Sequence, residues 1–126
     1  MENWDYPFTP DQLKLWKSIS TNINALQIGT EYYVFKPLTV SELRELQIEE
    51  LKLVQDLNMD QKLAEEEKLL IVQNRYIEAT AIKCVLWPLD FKDKVKSLPC
   101  GVLERLNAEI FRISGYDETI AEPIKL

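Results

Sequence analysis

The sequence contains no histidine. That removes the commonest general base, the commonest metal ligand and the base half of the usual Ser–His and Cys–His pairs. Carboxylates such as Glu78 and Asp90 remain available for acid–base work, but no pair of them stands in a constellation that sequence can place. The chain is therefore read as a non-enzyme, with no catalytic residue, no metal and no cofactor. Glycine is also scarce, at three residues, which argues against a sheet-rich, turn-rich fold. No apolar run approaches the roughly 20 residues needed to span a bilayer. The start, MENWDYPF, lacks the basic residues and apolar stretch of a signal peptide. Basic residues are the minority, 15 against 21 acidic, for a net charge of −6. This balance argues against nucleic-acid backbones and anionic membranes as partners. A soluble intracellular protein is expected, with its two cysteines as free thiols.

Cys84 and Cys100 have no further cysteine and no histidine with which to complete a zinc set. Cys84 reads as a small buried hydrophobe. Cys100 falls in the first turn of the last expected helix, where the helix dipole can lower a thiol pKa.

What is present is a run of helix signals. A chain of 126 residues, 46% hydrophobic and 29% charged, fits one ordinary globular domain. Thr9-Pro10-Asp11-Gln12 combines a capping residue, a proline at the first helical position and a glutamine that completes a capping box. Leu13, Trp16, Ile19, Ile23 and Leu26 then recur at helical steps, predicting a helix to about Gln27 with Gly29 as its stop. Thr39-Val40-Ser41-Glu42 is a second capping box, opening a helix to about Leu57. After the turn Asn58-Met59-Asp60, Asp60 is expected to cap a long helix to about Leu86. Glu65-Glu66-Glu67 reads as a solvated run near its N-terminus, where the dipole favours carboxylates. Apolar residues cover much of that helix, which makes it the central or partner-covered spine. Trp87-Pro88 ends it. Pro99 opens a last helix with Val102, Leu103, Leu106, Ile110 and Ile113 on its apolar face, and Gly115 stops it.

Two segments fall outside this helical pattern. Residues 1–8 form an extended aromatic arm carrying Trp4, Tyr6 and Phe8, which either folds back on its own domain or docks on another subunit. If it is a docking arm, deleting it weakens partner binding and leaves the helices intact. Residues Glu31 to Lys36 form the one strand-like run, ended by Pro37. This run either packs on the helices or adds to the sheet edge of a partner. The expected architecture is mainly α: a compact bundle of about four helices, an aromatic arm and one short strand-like segment. Residues 1–8 are the arm, 9–116 the helical domain and 117–126 a C-terminal tail. Trp4, Tyr6, Phe8, Trp16, Tyr32, Tyr33 and Phe35 are the candidate partner-binding residues.

Four short signatures occur in order: Tyr33-Val34-Phe35-Lys36-Pro37-Leu38-Thr39, Cys84-Val85-Leu86-Trp87-Pro88, Leu98-Pro99-Cys100-Gly101-Val102 and Ile113-Ser114-Gly115-Tyr116. Together they resemble small helical proteins encoded among the tail genes of tailed bacteriophages, described as tail assembly chaperones or baseplate-hub assembly components. The resemblance spans Tyr33 to Tyr116. Cys100 departs from the smaller residue usual in the third signature, and the arm before Thr9 has no counterpart. The resemblance implies a non-enzymatic assembly protein of the host bacterial cytoplasm, or a subunit of the virion tail. Its implied partners are other tail or baseplate proteins and, for a subunit present in repeated copies, further copies of itself. The rival reading is an acidic phage-encoded inhibitor of a host protein. Interspersed cations such as Lys62, Lys68, Arg75 and Lys83 weaken the single-sign field such mimicry needs.

Overall fold

Thr9 starts the first helix as its sequence dictates. Its hydroxyl accepts from Gln12 N at 3.1 Å, and the Gln12 side chain accepts from Thr9 N at 2.8 Å. Helix α1 then runs over Pro10–Ile19. The computed structural model describes residues 4–116 and Lys125. The expected tail, residues 117–126, lies outside the described residues except for Lys125, as do residues 1–3 of the arm.

The first correction comes at the end of α1. The helix stops at Ile19, and Ser20 is fully extended (φ −145°, ψ 139°). Ser20, Thr21 and Asn22 favour local side-chain-to-backbone bonds over helix, and the Ser20 hydroxyl accepts from Asn22 N. Ile23 and Leu26 keep the helical step, but Ile23 lies in the link after α1 and Leu26 in another element. Asn24–Ile28 is strand β1, antiparallel to β2 at Glu31–Phe35. Gly29 is a turn residue and not a helix stop. Ile28 pairs with Glu31 across a two-residue loop, and Gly29 (φ +63°) takes the first central position, which a type II′ turn reserves for glycine.

The second correction concerns the two ends of the long helix. After helix α2 (Val40–Asn58), helix α3 begins at Glu65, not after Asp60, and ends at Cys84. Val85–Trp87 is strand β3, antiparallel to β2. Pro88 disfavours helix at Trp87, and β2 offers Val85–Trp87 a ladder in exchange. Val34 pairs with Trp87 and Phe35 with Val85, so β3 carries one extra residue, Leu86, as a bulge. The run read as a lone strand is therefore the centre of a three-stranded sheet, β1-β2-β3, with both of its edges used within the chain. Among the described residues, the expected bundle of about four helices is replaced by five helices and this sheet. The short α4 (Phe91–Lys94), a 3₁₀ turn (Val95–Ser97) and α5 (Cys100–Ile113) follow β3.

The sheet separates two apolar clusters. On one side Tyr33 and Phe35 join Leu46 of α2, Ala81 and Cys84 of α3, Phe91 and Val95, and Leu106 and Ile110 of α5. On the other side Val34 meets Phe8 and Trp16. This alternation is the period-2 pattern of a strand buried on both faces. Asn107 of α5 donates to the carbonyls of Ile77 and Leu103, linking α5 to α3. At the exit of β2, Lys36 is buried and reaches both carboxylate oxygens of Glu42, at 2.6 and 2.7 Å. The third residue of the second capping box is thus also an ion-pair partner.

Candidate functional site

The seven candidate contact residues divide into two sets. Phe8, Trp16, Tyr33 and Phe35 are buried inside the chain. Trp4 and Tyr6 are 41% and 45% exposed, and Tyr32 is partly exposed. The arm folds back on its own domain at Phe8, and its other two rings stay at the surface.

Phe8 anchors this arrangement. Its ring lies edge-on to Trp16 at 5.2 Å and to Trp87 at 6.0 Å. Tyr6 stacks on Phe8 at 5.1 Å and meets Tyr32 edge-on at 5.6 Å. Trp4 stands edge-on to both Tyr6 and Phe8, and its indole N–H donates to the Phe8 carbonyl. Each edge-to-face or offset pair is worth about 0.5–1.5 kcal/mol beyond area burial. The exposed rings are thereby held in place by the buried one.

Of these rings Trp4, Tyr6, Tyr32 and Trp87 line an open cleft of about 650 Å³, with Phe8 and Trp16 buried beneath it. The arm supplies one wall, the hairpin tip at Thr30 to Tyr32 another, and the stretch from Trp87 to Asp90 with Lys94 a third. Trp87 and the exposed Leu89 are site residues that sequence reasoning missed, because Trp87-Pro88 signals only a helix end. No local signal marks Trp87, whose place in the cleft is made by the pairing of β3 with β2. Asp5, Glu31 and Asp90 give the cleft an acidic border, with Lys94 held to Asp90 at 3.1 Å.

This surface has no visible acid–base pair. Asp90 precedes α4 and is tied to Lys94, while Glu78 stands on α3, and no hydrogen bond joins them among the described residues. No group of three or more His, Cys, Asp or Glu side chains is placed to hold a metal among the described residues. No described helix is long and apolar enough to cross a membrane.

Both cysteines are free. Burial pushes the Cys84 thiol up to about 11, whereas Cys100 is exposed in the first turn of α5. Titration of the native protein with a disulfide reagent should therefore modify Cys100 alone, and denaturant should release the second equivalent. Equal reaction of both thiols in the native state would contradict the burial of Cys84.

A second concavity, of about 240 Å³, lies between the C-terminal half of α2 and the N-terminal half of α3, lined by Val54, Leu57, Leu69 and Val72. Leu51, Leu69 and Leu70 are exposed nearby. The expected spine helix α3 thus has its buried residues at Val72, Thr80, Ala81 and Cys84, and none in its first seven positions. Compared with models of known families, with curated proteins and with solved structures, the chain matches none.

Proposed function

We propose that the protein is a non-enzymatic assembly factor or subunit of a phage tail or baseplate, which docks on other proteins through the aromatic cleft. The observation that carries the docking role is the set of half-exposed rings, Trp4 and Tyr6, locked onto buried Phe8 at the rim of an open cleft. Aromatic side chains are favoured interface anchors. Rings already fixed by packing lose little conformational freedom on binding. The tail setting rests on the four ordered signatures between Tyr33 and Tyr116.

The acidic-inhibitor reading draws less support. Cations stand beside acids across the helical surface: Lys68 at Glu65, Lys83 at Glu45, and Arg105 and Arg112 both at Glu109. Such pairing breaks up a single-sign field.

Gene deletion combined with mass spectrometry of purified particles tests the assembly role. Loss of tails on deletion is expected. Presence in particles at fixed stoichiometry marks a subunit, and absence marks a chaperone. Normal particles from the deletion strain would refute the reading. The cleft is tested separately. Trp4→Ala with Tyr6→Ala should weaken partner capture about 30-fold or more, the size of a hot-spot loss. Unchanged capture would place the docking surface elsewhere.

A further inference from the structure

Charges recur at short intervals through most of this chain, yet residues 18–30 contain none. That stretch holds all of β1 and the hairpin loop. β1 is also an outer strand of the sheet.

Which backbone groups of β1 face outward follows from parity. Lys36 N donates to Cys84 O at 3.0 Å, beside the pairing of Val34 with Trp87. Even-numbered residues of β2 therefore turn their N–H and C=O towards β3, and odd-numbered ones turn theirs towards β1. Asn24, Leu26 and Ile28, paired with Phe35, Tyr33 and Glu31, bond inward. Ala25 and Gln27 then direct their N–H and C=O away from the sheet. Among the described residues, no backbone hydrogen bond outside the β1–β2 ladder involves Asn24–Ile28. The Ala25 and Gln27 side chains are exposed as well.

Edge strands are ordinarily protected by a lysine, a proline, a bulge or extreme shortness. The opposite edge of this sheet has several of these: β3 is three residues long, bulged and followed by Pro88. β1 has none. It carries no charge and no proline, and its register is unbroken over five pairs.

We propose that the β1 edge pairs antiparallel with the β1 edge of a second copy of this chain, about a two-fold axis at Leu26, to form a continuous six-stranded sheet. In this register Ala25 of each copy lies opposite Gln27 of the other, so all four outward-facing groups of each strand find partners. Such reciprocity is what a two-fold contact requires. The uncharged edge permits a second copy. Two chains of net charge −6 repel over most of their surfaces, but meet no like charge within the paired strands. The proposal does not depend on the role of the cleft.

Sedimentation and amide hydrogen exchange of the full chain, across a concentration series, test the pairing. The sedimenting mass should double with concentration. The Ala25 and Gln27 amides should slow by about tenfold or more over the same range, as amides do when they enter a ladder. The Asn24, Leu26 and Ile28 amides are bonded to β2 in either state, and report that the hairpin is folded. Ala25→Lys, an edge lysine, should abolish the doubling and the slowing while those three amides stay protected. Mass that stays monomeric at every concentration would overturn the proposal. So would Ala25 and Gln27 amides indifferent to concentration, or protection that appears only when a different protein is added.

Discussion

Replacing Phe8 by alanine is expected to lower the unfolding free energy by about 3–5 kcal/mol, the range for a buried phenylalanine. The ring is 3% exposed and is surrounded by Tyr6, Trp16, Trp87 and Val34. Truncation removes its transfer energy and leaves a cavity walled by two indoles, which collapse poorly because each is held by other contacts. Against a typical stability of about 5–15 kcal/mol, that loss is a large share. Trp4→Ala should cost less, about 1–2 kcal/mol, since Trp4 is 41% exposed and loses two edge-on ring contacts but leaves no buried cavity. Urea unfolding of the two variants measures the difference directly. If Phe8→Ala unfolds within about 1 kcal/mol of the parent chain, the arm does not pack on the sheet in solution. Deletion of residues 1–8 therefore does not isolate docking from folding: it removes a core ring together with the exposed ones. Point changes at Trp4 and Tyr6 make that separation.

The capping boxes at Thr9 and Thr39 were legible because a cap is set by residues three positions apart, and both form as their side chains dictate. Gly29 and Pro88 were legible as breaks, but what stands beside a break is decided by distant residues. Ile23 and Leu26 extend the helical step of Leu13, Trp16 and Ile19 by coincidence of spacing. What overrides it is β2, whose aromatic run obtains its ladder only if Asn24–Ile28 and Val85–Trp87 become extended. The apolar run around Cys84 to Leu86 fits the end of a helix and a buried strand equally well by periodicity. The candidate site was half legible. Alternating Trp4, Tyr6 and Phe8 announced an aromatic arm, and the fully apolar ring is the one driven inward. Trp87 carried no local signal, because its place in the cleft is made by pairing with Val34.

Glu42→Ala should be the second costly substitution, at about 2–3 kcal/mol. Breaking a fully buried ion pair costs about 3–5 kcal/mol because it strands a charge. Here the side chains of Lys36 and Glu42 are 10% and 23% exposed, so solvent relieves part of that. The change also ends the bond from Thr39 N to the Glu42 carboxylate, one half of the capping box. Lys36→Met should cost less, since it leaves behind the more exposed partner, still held by the Thr39 backbone and hydroxyl. Combining Lys36→Met with Glu42→Gln removes both charges, keeps a capping glutamine, and should return to within about 1 kcal/mol of the parent. The same pair predicts a pH signature. Burial acts to raise the Glu42 pKa, but hydrogen bonds from Lys36 and Thr39 and the Lys36 charge outweigh it, so the carboxyl is held below its ordinary 4.5. A carboxylate depressed on folding adds stability above its unfolded pKa and loses it as pH falls through the folded one. Parent urea midpoints should therefore fall as pH drops below about 4.5, and Glu42→Gln should lack that component. Identical acid slopes for the two proteins would show that Lys36 and Glu42 are not paired in solution.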